Sequence, residues 1–259
     1  MKAATVILMI AFVGWGDWGS MATAENMADA VPDSVTASVI LHRVAALYAA
    51  TKTYQDSGVV TLRIEGAGAG GGLISNVPFK TAYRAPDQFR FEFNAPHPRM
   101  IPMPSMHWII YRNGKKVEQW AFSKTGTQGS LNRALAGATG VSSAAAHTIP
   151  ALLMPEVIGG RKITDGTGAS LLSEAACSGS ICFRVQEGSS GQAQSTKTIW
   201  IDRTLLVRRI DAHLPIPDHA AIDTATIYRP VINEPVADAA LKFDAPTGIL
   251  GEWLQYLLL

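Results

Sequence analysis

The sequence offers few groups that could do covalent chemistry, and they are dispersed. Six histidines occur, at 42, 97, 107, 147, 213 and 219. Only His213 and His219, with Asp218, stand near enough in the chain to share a metal ion. Pro215 and Pro217 hold that stretch extended, and histidines in a solvated loop are the commoner outcome, so no metal and no other cofactor is expected. The carboxylates Glu65, Glu92, Glu118 and Asp202 occur singly. No Gly-x-Ser-x-Gly elbow, no His-Glu-x-x-His pair and no double Cys-x-x-Cys is present, so the residue types predict no enzyme. The letters at Gly66, Gly68 and Gly71 match a dinucleotide fingerprint. That fingerprint must open a helix onto a pyrophosphate, whereas Val77-Pro78-Phe79 continues as a strand, and a hairpin loop is the reading adopted.

Two cysteines, Cys177 and Cys182, bracket Ser-Gly-Ser-Ile. In an oxidising compartment they form a disulfide, with Gly179 giving a tight turn between two strands. Half a metal site is the competing reading, and no His or acidic cluster adjoins it.

Apolar binding is the chemistry with most behind it. Phe79, Tyr83, Phe89, Phe91, Phe93, Trp108, Ile110 and Trp120 fall on or near one face of adjoining strands, with Phe122 beside them. The pattern fits the lining of a lipid-binding cavity and fits an ordinary core; the two differ in how completely helices plug the space. Met100, Met103 and Met106 recur every third residue in a proline-rich stretch, which suits either a lid over an apolar mouth or a loop packed on the sheet end. Arg84 is the cation placed nearest a lipid headgroup, while Arg90, between inward-facing phenylalanines, is expected to face solvent.

Strands and helices must position these groups. Pro32-Asp33-Ser34 starts a helix, capped by Asp33 or Ser34, whose apolar positions Ile40, Val44, Leu47 and Tyr48 reach to about Ala50. Strands are predicted over 59–64, 79–84, 87–94, 108–112 and 116–122, with an Asn113-Gly114 turn before the last. Alanine-rich segments, Leu131 to Ala138 and Ser142 to Leu153, predict short helices. Strands return over 169–175, 181–187, 197–202, 206–212 and 223–228. No βαβ alternation occurs, so the fold class is α+β, a single curved antiparallel sheet, or half-barrel, with helices covering its concave face.

The amino terminus reads as a signal peptide. Lys2 precedes the apolar run Ala3 to Val13, and Ala22-Thr23-Ala24 is a small-x-small cleavage site. That run of about 11 residues falls short of the roughly 20 needed to span a bilayer. Cleavage after Ala24 leaves residues 25–259 as one domain, without a cysteine near the cut for lipid anchoring, in the periplasm. The formal net charge of +1 and the absence of a basic run argue against a nucleic-acid partner. The apolar end, Trp253 to Leu259, suits docking on the barrel, contact with a membrane surface or a partner, and docking is the reading adopted.

Several stretches together resemble the outer-membrane lipoprotein carrier superfamily, the LolA/LolB-like fold. They are Tyr54-Gln55-Asp56 after the first helix, Phe79 to Phe91 with its Arg84-Ala85-Pro86 and Phe89-Arg90 steps, Thr198 to Asp202 with Val207 to Ile210, and Tyr228 followed by Asn233 to Val236 and Phe243 to Gly248. The resemblance implies a half-barrel whose concave face receives acyl chains. The function expected is therefore a periplasmic, non-catalytic binding or carrier protein for a lipid or an acylated protein. The alternative is a sensor of the same fold that signals envelope state to a membrane partner.

Overall fold

A computed structural model of the chain describes residues 36–64, 73–95, 106–121, 124–140, 142–160, 162–165, 168–188, 195–215 and 221–246. Helix α1 (Ala37–Ala50) begins two or three residues later than the sequence suggests. Its cap is Thr36, whose hydroxyl accepts the Val39 N–H, not Asp33 or Ser34. Ile40, Leu41, Val44 and Tyr48 recur at helical spacing and are all buried.

The first meander comprises β1 (Thr53–Ile64), β2 (Leu73–Arg84), β3 (Gln88–Ala95), β4 (Met106–Asn113), β5 (Lys116–Ala121) and β6 (Lys124–Thr127). Strand β1 starts before Val59, so Tyr54 and Asp56 belong to the sheet. The β4–β5 turn is Gly114-Lys115, with Gly114 at φ +59°. Helices α2 (Leu131–Thr139) and α3 (Ala145–Leu153) follow. A second meander holds β7 (Ser170–Cys177), β8 (Ser180–Gly188), β9 (Thr196–Asp202), β10 (Val207–Pro215) and β11 (Ala221–Ile227), with a short β12 (Val231–Ile232) beyond it.

The strands form one antiparallel sheet in the order β6-β5-β4-β3-β2-β1-β11-β10-β9-β8-β7, with β12 pairing β1. The last long strand thus returns to lie beside the first, and the two meanders share one surface. Helices and sheet enclose one core, in which Phe79, Phe89, Phe91, Phe93, Trp108 and Ile110 pack with α1, α2 and α3. Gly58 is required here. A β-carbon at that position would run into the Phe79 ring and the Ile227 carbonyl oxygen, so its absence lets Phe79 lie across β1 and meet Tyr228 edge-on at 5.6 Å.

Cys177 and Cys182 are joined in a disulfide across the β7–β8 hairpin. Its two-residue turn, Ser178-Gly179, has φ of +45° and +83°, the left-handed pair that matches strand twist. No helix among the described residues is long and apolar enough to cross a membrane.

A third layer lies on the outer face. After β12 the chain runs back across β1, β2 and β3 as a strap over residues 233–246. Asn233 accepts the Lys52 N–H at 2.9 Å, and Thr53 Oγ1 donates to the Glu234 carbonyl at 2.7 Å. Ala82, Val236 and Leu241 form a small apolar cluster beneath it.

Candidate functional site

The inner cavity follows from two stripes of small residues. On α1, His42, Ala45, Ala46 and Ala49 recur at helical spacing beside the large core stripe; Ala144, just before α3, and His147, Thr148, Ala151 and Leu152 on it do the same. Where these stripes face the second meander, truncated side chains leave a cleft of about 500 Å³. That volume lies within the range of small-molecule pockets.

The floor is set by strand register. Glu187, Lys197, Ala212 and Thr224 are aligned in one row across β8, β9, β10 and β11. The adjoining row is Val185, Ile199, Ile210 and Thr226. The cleft floor is therefore polar along one row and largely apolar along the next. Tyr228 closes the floor, its hydroxyl bonded to Thr226, and burial holds its ionisation far above the ordinary range.

Glu187 is buried, and Lys197 donates to it at 3.4 Å. His42 Nδ1 lies 2.8 Å from the Ser38 carbonyl oxygen, and His147 Nε2 lies 2.9 Å from that of Gly159. Each ring donates there through one nitrogen. Ser143 and Ala144, at the start of α3, sit at φ +48° and +69°. Two successive non-glycine residues in the left-handed region cost about 1–2 kcal/mol each. They are held by the Ser142–Ala145 and Thr139–Ala144 backbone bonds, and both line the cleft.

The aromatic set expected to line a cavity lies in the core cluster that the sheet forms with the helices. Phe79, Tyr83, Phe89, Phe91, Phe93, Trp108 and Ile110 are all at most 7 % exposed and belong to the packed core. Trp120 is on the other face altogether: β5 pairs it with Ile109, and its ring meets His107 edge-on at 4.8 Å. Arg84, assigned to a headgroup, also points to the outer face. It donates to the Val236 carbonyl at 2.6 Å and to Asp238 at 2.8 Å, which fastens the strap.

Arg90 faces out but is not solvated. It bridges Glu92 at 2.9 Å and Asp244 at 2.7 Å under the strap. His107 donates to Glu92 at 3.1 Å; that bond first, then Arg90, holds the Glu92 carboxyl down to about 2 against desolvation. Beside this network lies a second space of about 550 Å³, reached by Lys80, Arg229 and Ala240. Met100 and Met103 lie outside the described residues, and Met106 is described only as the first backbone position of β4. His213 pairs with Asp223 at 2.7 Å, whereas Asp218 and His219 fall outside the described residues. Among the described residues no group of three metal-ligating side chains occurs.

The cleft was missed because a void is legible only from both walls at once. The signal was nonetheless present: alanines at 45, 46 and 49 repeat with the period of the core stripe, opposite Ala212 and Thr224.

No protein-family model matches this chain, and no curated protein matches it. Among solved structures it is similar to LprF from Mycobacterium bovis, with 11% identity over 81% of this chain and 97% of that one at a TM-score of 0.45. It is also similar to the MucA/MucB complex of Pseudomonas aeruginosa, with 13% identity over 81% of this chain and 61% of that one at 0.41. A LolA superfamily protein from Nitrosomonas europaea matches at 9% identity over 81% and 99% of the two chains, at 0.32.

Proposed function

We propose that this chain is an exported, non-catalytic binding protein that holds the acyl chain of a lipid or an acylated protein in the cleft between α1, α3 and the second meander. The observation that carries the reading is the cleft itself, a space of about 500 Å³ walled by alanines, Leu152, Ile163 and Ile210. An acyl chain entering it removes apolar surface from water on both sides, at about 0.8 kcal/mol per methylene. The cleft lies within one continuous sheet, so its floor is formed before the ligand arrives.

The leader Met1 to Ala24 supports export to the periplasm and cleavage after Ala24, where a carrier would meet membrane lipid. Native mass spectrometry of the mature protein tests the reading. A co-purifying lipid, or an adduct formed with added long-chain amphiphile, is expected. A protein that stays ligand-free in the presence of long-chain amphiphiles of every head type would show the cleft to be mere packing defect.

A further inference from the structure

The cleft is not uniformly apolar, and its polar groups are unevenly signed. Four of its lining side chains are cations or can become so: His42, His147, Lys162 and Lys197. Glu187 is the one acid among them, and it is already engaged by Lys197. An ammonium has three donors. Lys197 uses one on Glu187, is about one-third exposed at 32% of its side chain, and has no other partner among the described residues. Lys162 is exposed at the same cleft; its backbone N–H and carbonyl are both engaged by Asp165, and its ammonium has no partner among the described residues. Each histidine donates one ring N–H to a carbonyl, so its second nitrogen can donate to an anion only when the ring is protonated.

Resting on the acyl-binding reading, we propose that the cleft selects single-tailed amphiphiles with an anionic head, a carboxylate or a phosphate. The head lies against Lys197 and Lys162, with His147 beside them, and the tail runs over Ala45, Ala49 and Ile210. Glu187 is the positioning residue for Lys197. Its buried carboxylate holds the ammonium in the wall; with Lys197 gone, that carboxylate would attract a cationic head instead.

Binding of dodecanoate, dodecyl phosphate, dodecanol and dodecyltrimethylammonium below their micelle concentrations tests this on the full mature chain, with acetate and inorganic phosphate as tail-free controls. The two anions are expected to bind at least about tenfold tighter than the alcohol and the ammonium, the size of one charge-assisted hydrogen bond. Their ratio to each other tells a carboxylate head from a phosphate head. The tail-free controls are expected not to compete; if inorganic phosphate displaces dodecyl phosphate at equal concentration, the site is a simple anion site and the proposal fails. Lys162→Gln, and the charge-neutral pair Glu187→Gln with Lys197→Gln, are expected to bring the anions down toward the alcohol without weakening the alcohol itself. Equal binding of all four heads by the unaltered chain overturns the head assignment and leaves acyl binding standing, as does a preference for the ammonium. Binding of none of them removes the acyl reading itself.

Discussion

The Tyr48 hydroxyl accepts the backbone N–H of Val207 at 3.1 Å, joining the last turn of α1 to the start of β10. The contact sits where the β9–β10 register slips by one residue between Val207 and Arg209. A bulge of this kind takes a backbone group out of the ladder, and the tyrosine supplies its partner in a fully buried position. One hydrogen bond therefore fixes the height of α1 above the second meander, which is the height of the cleft. Tyr48→Phe leaves that N–H buried and unsatisfied and is expected to cost about 1–3 kcal/mol in denaturant unfolding. Exchange of the Val207 amide should quicken in step; an unchanged amide would show the bond to be dispensable.

Core and cleft should respond in opposite ways to volume. Phe91→Ala removes a ring from filled space and is expected to cost about 3–5 kcal/mol, with dodecanoate affinity per folded molecule unchanged. Ala212→Leu extends into the cleft floor, where space exists, and is expected to change stability by less than about 1 kcal/mol while weakening dodecanoate at least about tenfold. Calorimetric titration alongside urea unfolding separates the two. If Phe91→Ala weakened binding and Ala212→Leu did not, the ligand space would lie under the aromatic set.

Asp56 gives the fold an unusual pH dependence. Burial pushes its carboxyl up to about 6, opposed by hydrogen bonds from the Arg229 N–H and the Tyr54 hydroxyl. In the unfolded chain it ionises near 3.9. The native state holds the proton more tightly, so this contribution is fully present below about pH 4 and is lost as pH rises through about 6. Two units correspond to about 3 kcal/mol. Asp56→Asn is expected to remove that slope, gaining on the unaltered protein between pH 4 and pH 7. Parallel unfolding curves for the two proteins across that window would mean that Asp56 ionises alike in both states. Glu92 acts oppositely, losing its contribution as pH falls from about 4.5 toward 2.

The strap should be separable from the sheet. Arg90→Met removes the tie to Asp244 and one of the Glu92 partners, at an expected cost of about 2 kcal/mol. Limited proteolysis between 233 and 246 should accelerate, while exchange in β9 and β10 stays as before. Equal acceleration in those strands would show that the strap is part of the same cooperative unit.

What was legible beforehand divides along physical lines. Alternation in Phe89, Phe91 and Phe93 identified β3 and its buried face, because a strand's period of two is written locally. The helix–meander–helices–meander order followed from the same local signals. Trp120 was misplaced because its face depends on pairing, and β5 sets it opposite Ile109 rather than on the Trp108 side. The strap was invisible because residues 233–246 carry no period at all. They are held through carbonyls and through Arg84 and Arg90, whose partners lie about 150 positions away. Arg90 read as solvated for that reason.

The alanine wall of the cleft makes its size adjustable in the smallest steps protein chemistry allows. At Ala45, Ala49, Ala151 and Ala212 a single added carbon shortens the room for a guest by about one link, and each link is worth about 0.8 kcal/mol, roughly fourfold in affinity. Such a wall behaves as a ruler graduated in methyl groups. Close homologues that differ at these four positions alone would be expected to measure tails of different length while keeping the same sheet.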